Sequence, residues 1–356
     1  MTLTKAREQL MTLQANMSAY QHALSMLSYD GATYAPKGTG PNRARTMSFL
    51  TQERYKLTTS PETVELLEFL DDNRKELDEK EQRMIDLLLK DIRKMQRIPM
   101  EEYVEQRKLL VQAGDVWRTA KETSDFALFE PVLEKIFETN LRFAKYCAPE
   151  KDPYDYDLNE YEDGLTREIC EKFFGTVRGH IVPLLQQVQT KPQVDDACIS
   201  GEFPALKQEE LAWYLMKLMG LDLNHCTLAT TEHPFTSMLG SHNDVRITTN
   251  YKNYSFAPSM FSVIHEGGHA LFGSNAAPEL AYTVLDRCGN MGLHESQSRF
   301  YENLLGRSRP FIHYVFPKLQ EIYPYLNAYT AEDVYRAVNR TQPSLIRIEA
   351  DELEYS

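Results

Sequence analysis

The sequence predicts a mainly α fold of many amphipathic helices, with one small β-sheet beside its most unusual motif. Three observations carry this. Apolar residues recur at helical spacing through most of the 356 residues. Proline and glycine interrupt those runs at intervals typical of helix connections. One stretch, TLATTEHPFTSMLGSHNDVRITTNY (227–251), is instead rich in Thr, Val and Ile with turn residues between.

Taken in order, the first helix runs from Leu3 to Ser28 and breaks at Gly31 and through Pro36, Gly38, Gly40 and Pro41. Helical periodicity returns at 41–58, 62–75, 78–97, 100–122, 126–147 and 166–188. Pro99 suits the first turn of one of these, and Ser124 and Asp125 offer caps for the next. The segment PEKDPYDYDLNEYEDG is acidic, Tyr-rich and broken by Pro153 and Gly164, which predicts a surface connection at 148–165. A second break at 191–207 precedes a helix at 208–219. The Thr/Val/Ile-rich stretch reads as two short strands or a hairpin. Helices follow at 258–273, 292–306, 309–322 and 331–340, and a β-like run, PSLIRIEADELEYS, closes the sequence. The chain therefore reads as a single unit, with helices over 1–225 and a metal-site half over 226–356.

Charge and composition exclude several function classes. Thirty-nine Lys and Arg against fifty-two Asp and Glu leave a net charge of −13, which repels nucleic acid. No stretch approaches the roughly 18 apolar residues that span a membrane. Five widely spread cysteines, Cys147, Cys170, Cys198, Cys226 and Cys288, read as reduced thiols of a cytoplasmic protein.

The chemistry is concentrated in His265-Glu266-Gly267-Gly268-His269. Four residues apart on a helix, His265 and His269 stand about 40° apart on one face, so both imidazoles can reach one metal ion. Glu266 points to the side, where it can act on water without ligating. Phe261, Ile264, Leu271 and Phe272 form an apolar stripe about 100° wide, with both histidines at its border. Two adjacent glycines cost about 1 kcal/mol each in a helix interior, which implies close approach of another backbone or an extended ligand. A hydrolytic zinc site wants three protein ligands and an open position. Glu295, in the polar start of the next helix, is the best third ligand, with Asp286 as the backup.

At these residues the chain resembles the Taq-type (thermostable) carboxypeptidases, zinc metallocarboxypeptidases with an HExxH helix. His233-Pro234-Phe235 matches the family's HPF, Asp244 to Thr248 its D-x-R-x-T, HESQS at 294–298 its HES/GQ, and Ile346 to Asp351 its I-R-x-x-A-D. Weaker echoes, such as Tyr29-Asp30 and Tyr154-Asp155, extend the likeness over essentially the whole sequence. The family pattern continues beyond the I-R-x-x-A-D run into a G-x-x-Q-D-x-H-W motif that is not found here.

The resemblance implies a zincin-like peptidase fold with a deep groove, peptide substrates and a homodimer. It also implies one zinc ion, replaceable by cobalt, on His265, His269 and Glu295, with Glu266 as general base. Arg347 leads as reader of the substrate's terminal carboxylate because a guanidinium matches it in two prongs. Arg246 is second, although Asp244 and Arg246 can instead buttress the metal helix. His233 and His294 are candidates for stabilising the oxyanion, and Arg299 for orienting Glu295. The alternatives are an oligoendopeptidase of the same chemistry, or a non-catalytic metal- and peptide-binding fragment.

Overall fold

The structure, a computed structural model, describes residues 1–286 and 289–342. Its chain forms two compact units, each assembled from separate stretches: Met1–Asp157 with Ser237–Asp244 and Gly273–Cys288, and Leu158–Thr236 with Val245–Phe272 and Gly289–Ser356. Among the described residues, no helix is long and apolar enough to cross a membrane.

The first unit is helical. It carries α1 (Leu3–Thr33), α2 (Gly40–Thr59), α3 (Pro61–Asp72), α4 (Glu79–Arg97), α5 (Met100–Thr123) and α6 (Glu130–Cys147). Its core is an aliphatic layer from α1, α3 and α4, including Leu10, Leu67, Leu70, Ile85, Leu88 and Ile92. Caps define the helix starts: Ser60 Oγ accepts from Thr63 N, and Asp78 and Glu81 form a reciprocal capping box. The helix α1 runs through Gly31 rather than ending there. A Cβ at Gly31 would lie 2.5 Å from Arg43 Nε, so this glycine admits a packed guanidinium instead of breaking the helix. The predicted start at 126 is a 3₁₀ turn, Phe126–Leu128, and α6 proper follows it.

The 148–165 stretch differs from the predicted connection, because it contains the helix α7 (Pro153–Tyr161). Proline at the first helical position sacrifices no helical hydrogen bond, and Asp152 Oδ1 accepts from Tyr154 N, so Pro153 opens a helix and only Gly164, beyond its end, acts as a break.

The second unit holds α8 (Arg167–Gln189), α9 (Ala205–Leu218), α10 (Ala257–Ser274), α11 (Met291–Arg299), α12 (Arg309–Ile322) and α13 (Ala331–Val338). Phe203, Phe256, Tyr323 and Tyr325 form an aromatic cluster with centroids 5.2–6.5 Å apart. The buried Gln208 ties this cluster to α10 by accepting from Ser259 Oγ at 2.6 Å and donating to Phe203 O.

The strands are β1 (Cys226–Thr230), β2 (Thr236–Met238) and β3 (Val245–Thr249), in the order β1-β3-β2. The β1 and β3 strands pair in parallel, with Leu228 opposite Ile247, so they are not two arms of a hairpin. Parallel neighbours need a connection that returns the chain to the same end, and residues 231–244 supply it.

Candidate metal centre

The helix α10 enters with Pro258 in its first turn and buries Phe261, Val263, Ile264 and Ala270. Its glycines have separate reasons. A Cβ on Gly268 would lie 2.9 Å from Ser298 Cα and 3.1 Å from Gln297 O, so the glycine lets the backbone of α11 approach. On Gly267 it would meet the flexible tip of Met219 at 2.6 Å.

That close approach brings three donors together. His265, His269 and Glu295 each offer one ligand atom within 4.8 Å of the others, and among the described residues this is the only such group. Glu295 Oε2 lies 3.7 Å from His265 Nε2 and 3.4 Å from His269 Nε2. Donors held about 2.0–2.1 Å from one ion in tetrahedral geometry stand about 3.3 Å apart, so these separations fit a divalent cation. Two imidazoles and one carboxylate are also a donor set suited to zinc or a neighbouring first-row ion.

The surroundings prepare the donors. His265 Nδ1 donates to Glu302 Oε2 at 2.8 Å, which leaves the lone pair on Nε2, toward Glu295. Glu302 sits in a π-helical turn, Phe300–Gly306, that continues α11. Arg299 Nε donates to Glu295 Oε1 at 3.3 Å, as the sequence suggested. Burial pushes the Glu295 carboxyl up, but the hydrogen bond from His269 and the nearby His265 and Arg299 together hold it at about 2.

Glu266 is 5% exposed. Thr236 Oγ1 lies 2.7 Å from its carboxylate Oε2 and 2.9 Å from its carbonyl oxygen. Burial raises the Glu266 carboxyl above the usual range, while His265 and the Thr236 hydroxyl pull the other way. The ring of His294 stacks on that of His269 with centroids 4.3 Å apart; burial, followed by repulsion from His269, lowers its pKa.

The other sequence candidates fall in different places. Asp286 belongs to the first unit and pairs with the buried His242 at the edge of a cavity of about 320 Å³, so it is not one of the converging donors. His233 is exposed in the turn before β2, where its carbonyl accepts from Thr231 Oγ1. Arg246 lies in β3 opposite Thr227. Arg347, with the whole I-R-x-x-A-D run and the final β-like segment, lies outside the described residues.

Two neighbours escaped the sequence reading. Thr236, directly after the HPF run, lies in a stretch that the sequence marks only as two short strands or a hairpin. Glu302 lies seven residues, about two helical turns, after Glu295, a spacing that could have flagged it. The HPF and D-x-R-x-T runs also meet: Thr248 Oγ1 lies 2.7 Å from Phe235 N and 3.0 Å from Phe235 O.

A family model described as carboxypeptidase Taq (M32) metallopeptidase matches residues 9–356. Carboxypeptidase 1 of Bacillus subtilis (strain 168) is 36% identical over 347 residues, covering 96% of this chain and 69% of the relative. Thermostable carboxypeptidase 1 of Pyrococcus furiosus is 33% identical, over 98% of this chain and 70% of its own length. Among solved structures, the BsuCP crystal structure superposes with a TM-score of 0.96 at 35% identity, over 99% of this chain and 71% of that one. The M32 carboxypeptidase from Deinococcus radiodurans R1 gives 0.89 at 32% identity, over 98% and 70%.

Proposed function

The chain belongs to the carboxypeptidase Taq (M32) family of metallopeptidases, and from that premise we propose a zinc-dependent release of C-terminal amino acids from peptides, with Glu266 as general base. The observation that carries the reading is the convergence of His265, His269 and Glu295 within 4.8 Å beside a buried glutamate. His265, His269 and Glu295 would hold the ion. When bound, zinc, or cobalt in its place, supplies Lewis acidity toward the scissile carbonyl and toward water.

The remaining steps belong to the chain's own side chains. Glu266 takes the proton of the attacking water and returns it to the leaving amine. Its burial suits that task, because a carboxylate poorly solvated in the resting state is a stronger base. The Thr236 hydroxyl fixes which oxygen faces the substrate. Charge developing on the carbonyl oxygen needs a donor beside the ion, and His294, stacked against a ligand imidazole, is the better placed of the two histidine candidates. Arg347 reads the terminal carboxylate, with Arg246 second; these roles rest on the resemblance alone. On the same footing we infer a homodimer, and the free thiols of Cys147, Cys170 and Cys198 favour a cytoplasmic site of action.

The test is the metal-loaded chain incubated with an N-blocked dipeptide beside its Glu266→Gln counterpart. Amino-acid release should fall by about 10²–10⁴-fold in the variant while one equivalent of metal stays bound. Equal rates would remove the base role. Replacing Arg347 with Ala should raise KM for substrates with a free carboxyl terminus; indifference there would favour an oligoendopeptidase.

A further inference from the structure

We propose that Glu302 is a positioning residue for the metal centre, acting through His265; this rests on the metal reading above. One imidazole is gripped at both nitrogens by carboxylates from the same stretch of chain. Glu302 Oε2 is 2.8 Å from His265 Nδ1, and Glu295 Oε2 is 3.7 Å from Nε2. In an unbroken α-helix, residues seven apart are separated by about 10 Å along the axis. That separation lets the two carboxylates bracket one ring whose nitrogens face opposite ways. The backbone takes the π form over Phe300–Gly306, with Glu302 inside it.

Glu302 is itself held from behind. Its side chain is 12% exposed, with Arg307 Nη2 3.4 Å from Oε1 and Arg299 Nη1 3.4 Å from Oε2. Arg307 is fixed in turn by donating to Val338 O and by lying 4.0 Å over the ring of Phe261. Two cations therefore offset the charge of an acid that does not ligate. Among the described residues, the other ligand imidazole has no such partner, since His269 Nδ1 is buried without a hydrogen bond. A carboxylate can only accept, so contact with Glu302 dictates the tautomer and ring angle of His265. Glu302 therefore sets the orientation of His265, while His269 rests on its stacking with His294.

The test compares wild type with Glu302→Gln and Glu302→Ala. Metal affinity is read by competition with a chromophoric chelator, the visible spectrum by cobalt loading, and folding by melting of the metal-free proteins. Glu302→Ala should weaken metal binding about 10–100-fold and alter the cobalt spectrum. Glu302→Gln, which keeps an acceptor oxygen of the same shape, should recover part of that loss. If the alanine variant does not fold, Glu302→Leu, which fills similar space without an acceptor oxygen, decides in its place. Affinities within twofold of wild type, with an unchanged cobalt spectrum, would overturn the positioning role. Failure of the wild-type protein to bind metal would instead bring down the metal reading itself.

Discussion

Thr236 illustrates how a neutral hydroxyl can govern an acid. It donates to the Glu266 carboxylate, the proposed base, and also contacts that residue's main-chain carbonyl oxygen, so it restrains both the tip of the side chain and the backbone that carries it. A hydrogen bond to a charged group is worth about 1.5–3 kcal/mol. Thr236→Val should therefore lower kcat about 10- to 100-fold while the metal dissociation constant stays at the wild-type value, as steady-state kinetics and a metal titration would show. At this scale the sequence was partly legible. His265, Glu266 and His269 declare themselves because a helix converts a spacing of four into a shared face. Glu295 followed from the need for a third donor. Thr236 and Glu302 did not emerge, because a strand hydroxyl and one glutamate among many carry no periodic signal. Their roles exist only after the backbone has brought them within 3 Å of a partner.

Among elements, the glycine pair of α10 separates two effects that look alike in one dimension. Gly268 meets backbone, which cannot yield, whereas Gly267 meets the end of a methionine, which can. Gly268→Ala should destabilise by about 1–3 kcal/mol through overpacking against α11. Gly267→Ala should be neutral or stabilising by up to about 1 kcal/mol, since alanine is the better helix former. Thermal melts of the two variants check the order, and equal effects would contradict it. Helices such as α4 and α12 were readable because their apolar faces repeat and their caps are explicit. The sheet was less so. Alternation and turn residues announce strands, but nothing in them distinguishes a parallel pair such as β1 and β3 from a hairpin. The helix α7 was hidden by a proline whose meaning depends on whether it opens a helix or interrupts one.

For the whole molecule, metal binding is also a stability term. A ligand that binds only the folded state at one hundred times its dissociation constant adds about 2.7 kcal/mol. A chelator should therefore lower the melting temperature. Hydrogen exchange should show the loss of protection concentrated in α10 and α11, which carry all three donors; uniform loss over the chain would argue against the site. The net charge of −13 bears only on what the protein repels and says nothing of what it cleaves. The division into two discontinuous units was beyond reach of composition, because each is stitched from stretches far apart in sequence.

That stitching bears on how the centre comes into being. The chain delivers its two imidazoles by Phe272, departs for the first unit over Gly273–Cys288, and re-enters the second at Gly289 before supplying its carboxylate. The centre is assembled within one unit from two stretches that sixteen residues assigned to the other unit separate along the chain.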